Sequence, residues 1–145
     1  APRRERALPG CSYSELRQRG EVEVPADVTA QVDKDVPRTF LDLEPLVAEG
    51  CRAALRAVLL AHTVHEPTLG YCQGMHLIAG AALLPAAAES QPPSVADEER
   101  AFLWLSHAVH AFLPNVFAPG LPGLLEEQAV LARLLELELP ELPRA

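Results

Sequence analysis

Two residues in this chain have side chains suited to chemistry at phosphate, and each sits in a short run of distinctive neighbours. Arg38 closes the run Val32-x-x-Asp35-x-x-Arg38-Thr39, and Gln73 lies within Tyr71-Cys72-Gln73-Gly74-Met75. A guanidinium is permanently cationic and can meet charge developing on a phosphate. A carboxamide is neutral and can both donate to and accept from an attacking water. Neither run is specific by itself. Asp35 stands one helical turn before Arg38, where its carboxylate can cap or pin the arginine loop through a backbone or guanidinium hydrogen bond. Tyr71 can pack its ring beneath the glutamine and anchor through its hydroxyl, while Gly74 permits a close turn into the following helix.

The elements that must hold these residues read as helices. A short helix is expected from Ser12 to Arg19, and Pro25-Ala26-Asp27 then resets the chain, with Asp27 able to cap a turn through Val28 to Lys34. Pro37 ends that turn and biases Val36 away from helical geometry, which puts Arg38 on a loop just past a helix end. Gly50 to Glu66 carries Leu55, Val58, Leu59 and His62 at spacings of three and four until Pro67. Gln73 to Leu84 is apolar almost all round, as a central helix of an all-helical core would be, with Pro85 expected to kink or end it. Glu89 to Asp97 is a surface loop, from which Ser94-Val95-Ala96-Asp97 opens a helix as a capping box; that helix runs through Phe102, Leu105, Val109 and Phe112 to Pro114. After a proline-marked loop, Leu124 to Leu139 places Leu125, Ala129, Leu131, Ala132, Leu135 and Leu139 on one broad face before Pro140. No strand-like alternation competes, and there is no internal repeat.

Composition narrows the function classes. With 145 residues and a formal charge of -8, the chain fits one domain with a real core, and its charge argues against a general phosphate-backbone binder, whose affinity is driven by clustered Lys and Arg. Its single lysine, Lys34, stands against eleven arginines, so arginine is uninformative by type and spacing must carry the reading. Cys11, Cys51 and Cys72 make an odd, unpaired set without a secretory signal, which reads as reduced thiols in the cytoplasm. The apolar run from Leu77 to Ala88 is twelve residues, contains a proline and is half alanine, well short of the roughly 20 needed to cross a bilayer. Residues 1–11 hold Arg3, Arg4 and Arg6 with little apolar content and are expected to be a disordered lead-in.

Other chemistries fit less well. His62-x-x-His65 with Cys72 and His76 offers imidazole and thiolate donors, but His62 belongs to an apolar stripe, Pro67 and Gly70 intervene, and no second tight pair completes a zinc spacing. His107 and His110 read as helix-surface or core-edge residues. Cys72 beside His76 would need a cationic or helix N-terminal setting to act as a nucleophile. Gly120-Leu121-Pro122-Gly123 lacks the Gly-Lys-Ser/Thr signature of a phosphate cradle.

Taken together, the two runs resemble the paired finger motifs of the TBC domain, the catalytic domain of a family of GTPase-activating proteins for Rab GTPases. Val32-Asp33-Lys34-Asp35-Val36-Pro37-Arg38-Thr39-Phe40 resembles the arginine-finger motif, with Val32 where isoleucine is usual. Gly70-Tyr71-Cys72-Gln73-Gly74-Met75 resembles the glutamine-finger motif, with His76 where asparagine usually follows. Weaker likeness runs through Ala101-Phe102-Leu103-Trp104 and Leu125-Glu126-Glu127-Gln128-Ala129-Val130-Leu131, so the resemblance spans roughly 13–142.

The resemblance implies an all-α fold, an irregular bundle of about six helices, with residues 12–145 forming the N-terminal, motif-bearing part of a domain whose second helical half lies beyond Pro143. It implies that Arg38 enters a partner's nucleotide site and bridges the β- and γ-phosphate region, and that Gln73 supplies in trans the water-positioning amide the GTPase normally offers. Asp35, Thr39, Tyr71 and Gly74 would support them. The implied partner is a GTP-bound Rab-family GTPase that brings its own Mg²⁺ and GTP; no cofactor of the chain's own, no nucleic acid and no transmembrane segment are expected. The location would be cytoplasmic, peripheral on endomembranes through the partner or through other domains. The alternative is a catalytically silent, TBC-like interaction module that binds a small GTPase or another protein.

Overall fold

A computed structural model describes residues 10–43, 48–89, 92–113, 115–139 and 141. Among the described residues the regular secondary structure is helical: α1 (Tyr13–Glu23), α2 (Ala26–Asp35), a 3₁₀ turn (Val36–Arg38), α3 (Glu49–His65), α4 (Met75–Ala87), α5 (Val95–His107), a π-helical turn (Ala108–Phe112) and α6 (Pro122–Glu138). The expected all-α architecture is therefore the observed one. The chain divides into two compact units, residues 1–106 and 107–145, and both candidate motifs lie in the first. Most of the expected lead-in, and the helix stops expected at Pro114 and Pro140, fall outside the described residues.

α1 begins with a reciprocal cap: the Glu15 N–H donates to Ser12 Oγ (3.3 Å) while the Ser12 N–H donates to Glu15 Oε2 (2.7 Å). It runs past Arg19 because Arg19 pairs with Glu23 one turn on (2.8 Å) and because Gly20 is used for close packing. A Cβ at Gly20 would stand 3.0 Å from Leu60 on α3, so glycine lets the two helices approach. Pro25, not Asp27, is the residue before α2, and it contributes no side-chain cap. Asp27 lies in the first turn, where its negative charge favours the helix N-terminus.

α3 is the hub, packing against α1, α2 and α4. Leu55, Val58, Leu59, Leu60, Ala61 and His62 are all buried along it, so its burial extends beyond the stripe that periodicity indicates. α4 buries Met75, Ala79 and Leu83. Pro85 sits inside this helix, which continues to Ala87 instead of ending at the proline. α5 is capped as its sequence indicates, with the Ser94 N–H on Asp97 Oδ2 (2.8 Å) and the Asp97 N–H on Ser94 Oγ (3.3 Å). A buried polar pair ties it to α1 across 85 residues of sequence: the Tyr13 hydroxyl donates to Glu98 Oε2 (2.9 Å). Arg17 Nε donates to the same oxygen (2.7 Å), and the Tyr13 ring packs on Phe102 with centroids 5.5 Å apart.

In the second unit, His107 meets the Phe112 ring edge-on at 5.2 Å. The loop before α6 turns through left-handed residues at Asn115 and Leu121. Leu125, Leu131, Leu135 and Leu139 are exposed. None of the described helices is long and apolar enough to cross a membrane.

Tyr13→Phe removes the hydroxyl that donates to buried Glu98 and leaves the ring packing intact. Because hydrogen bonds to charged groups contribute about 1.5–3 kcal/mol, a fall in stability of that size is expected, read as a lower urea midpoint at unchanged slope. A midpoint within error of wild type would show that Arg17 alone satisfies the carboxylate.

Candidate functional site

Asp35 is the last residue of α2 and has no exposed surface. An isolated buried carboxylate is strongly disfavoured, so its surroundings must supply donors. They do. Tyr71 Oη donates to Oδ2 at 2.6 Å, Gln31 Nε2 lies 3.2 Å and 3.3 Å from the two oxygens, and Arg38 Nη2 is paired with Oδ1. His76 Nδ1 lies 4.0 Å from Oδ2. Burial pushes the Asp35 carboxyl upward, but the hydrogen bonds from Tyr71 and Gln31, with the charge of Arg38 and, once it is protonated, that of His76, outweigh it and hold the group below the usual range. The same contact acts in reverse on Tyr71: burial first, then the hydrogen bond to Asp35 and its negative charge, push the phenol well above its ordinary value, so it remains a donor.

The arginine loop is built on this carboxyl. Contrary to the extended geometry expected before a proline, Val36 keeps helical dihedrals (φ -55°, ψ -50°), and α2 tightens directly into the 3₁₀ turn that ends at Arg38. Pro37 fits there because the first residues of a helical turn need no N–H partner. Burial of Val36 offsets the steric penalty. Thr39 closes the turn, its N–H donating to the Val36 carbonyl (3.2 Å) and its hydroxyl to the Asp35 carbonyl (3.0 Å). Arg38 is thus anchored through one arm of its guanidinium to a fully buried partner, while its side chain is 50% exposed.

The next residue, Phe40, adopts φ 48°, a left-handed conformation that costs a bulky residue on the order of 1–3 kcal/mol and persists only where packing enforces it. Gly80 on α4 is part of that enforcement. A Cβ there would lie 2.8 Å from Thr39 Cγ2 and 3.4 Å from Phe40 Cε2, so only glycine lets the loop lie this close to the helix.

The glutamine loop is held from both sides. Tyr71 anchors its start on Asp35. At its end Gly74, at φ 103°, is the N-cap of α4, a conformation open to glycine and strained for other residues. The Gly74 N–H donates to His76 Nδ1 (3.2 Å), and the Cys72 N–H to Met75 Sδ (3.4 Å). Gln73 itself is exposed. Burial pushes the Cys72 thiol up, which opposes the nucleophilic thiolate considered above. His62, the first histidine of the metal reading, is buried on α3.

Thus Asp35, Arg38, Thr39 and Tyr71 share one hydrogen-bonded cluster, the Gly74 N–H bonds to His76 Nδ1 beside it, and Arg38 and Gln73 present side chains to solvent. Three further residues take part. Gln31 lies four residues before Asp35 on the same helix face, a spacing the sequence displays. His76, where the motif usually has asparagine, does take part in a hydrogen bond behind the glutamine loop, although its nearness to Tyr71 is not readable from spacing, and Gly80 leaves no signal in sequence beyond being a glycine in a helix.

An all-helical unit carrying these two loops is the architecture of a TBC domain. The Rab-GTPase-TBC domain family matches residues 6–144, and the chain belongs to that family. It is 37% identical over 118 residues to growth hormone-regulated TBC protein 6 of Caenorhabditis elegans, covering 81% of this chain and 33% of that protein. It is 37% identical to the rat growth hormone-regulated TBC protein 1, over 73% of this chain and 35% of the relative. Mouse TBC1 domain family member 2A matches at 38% over 92% of this chain and 14% of its own length. The chain therefore spans about a third of the length of the first two relatives. Among solved structures, the Ypt/Rab-GAP domain of Gyp1p superposes with TM-score 0.62 at 15% identity, over 86% of this chain and 45% of that one, a likeness of fold.

Asp35 makes stability pH-dependent. Because its folded value lies below the ordinary 3.8, the unfolded chain takes up the proton first as pH falls. The contribution is complete above 3.8 and is lost as pH drops through the folded value. Asp35→Asn should flatten acid unfolding in that window and lower stability at neutral pH by about 1–3 kcal/mol; acid melts of the two proteins that superimpose would contradict this. Gly80→Val should destabilise by about 1–3 kcal/mol through overpacking against Thr39 and Phe40, measured by chemical denaturation.

Proposed function

We propose that this chain accelerates GTP hydrolysis by a GTP-bound Rab-family GTPase, with Arg38 and Gln73 acting in trans on the partner's nucleotide. The observation that carries this reading is the shared anchorage of the two loops: the carboxyl that pairs with Arg38 also accepts the hydroxyl of Tyr71, two residues before Gln73. Side chains meant for separate tasks would not need one buried hub. Two groups that must meet a single γ-phosphate at once would.

Phosphoryl transfer asks little covalent help of a protein. The attacking water must be placed, and charge on the equatorial and leaving oxygens must be stabilised. Arg38 has five N–H donors in a planar fork, and Asp35 engages one arm, leaving donors to span the β- and γ-phosphate oxygens. The carboxylate fixes the direction of approach. Gln73 can accept a hydrogen bond from the water through its carbonyl and donate one to a phosphate oxygen through its amide. Mg²⁺ and GTP arrive with the partner, and the work on the water and the phosphates falls to these two side chains. The family membership and the formal charge of -8 both favour a protein partner over nucleic acid. The setting is membrane traffic, at the cytoplasmic face of endomembranes where Rabs act.

An arginine finger is worth about 10³ to 10⁵ in rate, or roughly 4–7 kcal/mol of barrier. In single-turnover hydrolysis by a panel of GTP-loaded Rabs with the full chain, Arg38→Ala is expected to cost on the order of 10³-fold on a responsive Rab. Arg38→Lys should recover little, because the fork is lost. Gln73→Ala is expected to cost on the order of 10²- to 10³-fold, the effect of deleting one preorganised donor. Acceleration that survives both substitutions would contradict the proposal; binding of a Rab without acceleration would favour the silent interaction module.

A further inference from the structure

His76 is 5% exposed in the first turn of α4, and its Nδ1 faces two groups at once. The Gly74 N–H points at it from 3.2 Å, and Tyr71 Oη lies 3.2 Å away. The Gly74 amide can only donate, so Nδ1 must offer it a lone pair, and the ring is then neutral with its proton on Nε2. Tyr71 has one hydroxyl proton, and the 2.6 Å contact with a carboxylate claims it. In this arrangement Tyr71 Oη and His76 Nδ1 turn lone pairs toward each other. A proton added at Nδ1 reverses both relations. The ring then donates to Tyr71 Oη, which donates to Asp35, while the Gly74 N–H is left facing another N–H. The two arrangements exclude one another, and they differ in whether the residue after Gln73 is pinned.

We propose that His76 is a positioning residue for Gln73, acting through the Gly74 amide, and that a proton on Nδ1 switches the glutamine loop from a pinned to a released arrangement. This rests on the function proposed above. Asparagine at this position could offer a carbonyl oxygen to the same amide but has no proton to gain, so the histidine adds sensitivity to acid that the usual residue lacks. The charges bearing on the ring come from Asp35 at the end of α2 and Arg38 in the 3₁₀ turn, with the Tyr71 hydroxyl and Cys72 thiol on the adjoining loop. α3, packed against α4, carries Glu49, Arg52 and Arg56 toward its start and His62 and His65 in its last turn. Burial lowers the His76 value below its ordinary 6.5, opposed by Asp35 and reinforced by Arg38, so the pinned form holds at neutral pH and release comes on acidification below 6.5.

The test reads the amide and the rate separately, in the full chain. By ¹⁵N NMR from pH 8 to 5, the Gly74 amide should shift with the midpoint of the His76 ring, and in His76→Asn it should stay fixed. In single-turnover hydrolysis on a responsive Rab, wild-type kcat should fall along the same midpoint with little change in KM. His76→Asn should lose that pH dependence, and His76→Leu should lower kcat on the order of 10- to 100-fold at every pH, the cost of a slightly misplaced group. A Gly74 amide indifferent to His76 protonation, or wild-type and His76→Asn rate profiles that superimpose, would overturn the proposal. The NMR arm needs no GTPase. Coupled titration with no Rab accelerated would therefore establish the exchange of hydrogen bonds while contradicting the functional reading.

Discussion

A carboxylate without exposed surface stays ionised only while donors surround it, and Asp35 draws those donors from separate parts of the chain. Gln31 comes from its own helix, Arg38 from the turn that follows, and Tyr71 from a loop beyond all of α3. Burying the charge would be costly if any one region failed to arrive. The cluster therefore makes local geometry conditional on tertiary structure: the arginine turn and the glutamine loop are correct together or not at all. Burial is the largest single influence on the Asp35 carboxyl and raises it, but the hydrogen bonds and neighbouring positive charge together hold it below its ordinary value.

The rest of the first unit supports this arrangement by permitting close approach. α3 is buried over most of its circumference and packs against the helices on either side of the site. Gly20 brings α1 onto it, and Gly80 lets Thr39 and Phe40 lie against α4. Phe40 is held in a left-handed conformation immediately after the arginine turn. Strain there has a physical use: a turn fixed by packing and hydrogen bonds loses little entropy when its arginine meets a ligand, whereas a free loop would have to be ordered at that moment.

Much of this was legible in the sequence, and the reasons are specific. The fold class followed from apolar spacing in α3 and α5 and from the absence of alternation. The Ser94–Asp97 cap followed from the chemistry of its own four residues. The resemblance that singles out Arg38 and Gln73 is to a family to which the chain does belong, and Asp35 does pair with Arg38 and accept from Tyr71, as anchors beside the two would. What sequence reasoning missed was set by tertiary packing. Val36 is helical despite the following proline because burial and the Thr39 bonds outweigh a local preference. Of the two outcomes expected at Pro85, a kink or an end, the end is excluded, because α4 continues to Ala87 with Leu83 and Ala87 buried on either side of the proline. α1 outruns Arg19 because Gly20, a weak helix former, is where α3 must come near. His76 stood out as a departure from a motif, but its meeting with Tyr71 and Gly74 depends on a positive φ at Gly74 that no spacing rule reveals.

One buried carboxyl makes the two loops a single unit. Amide hydrogen exchange in the full chain after Tyr71→Phe measures this, because the change removes the hydroxyl from Asp35 and touches neither Arg38 nor Gln73. Faster exchange both at 72–75 and at 36–40, in a protein that otherwise keeps its helices, is the predicted result. Faster exchange confined to the glutamine loop, with the arginine turn as protected as in wild type, would contradict it.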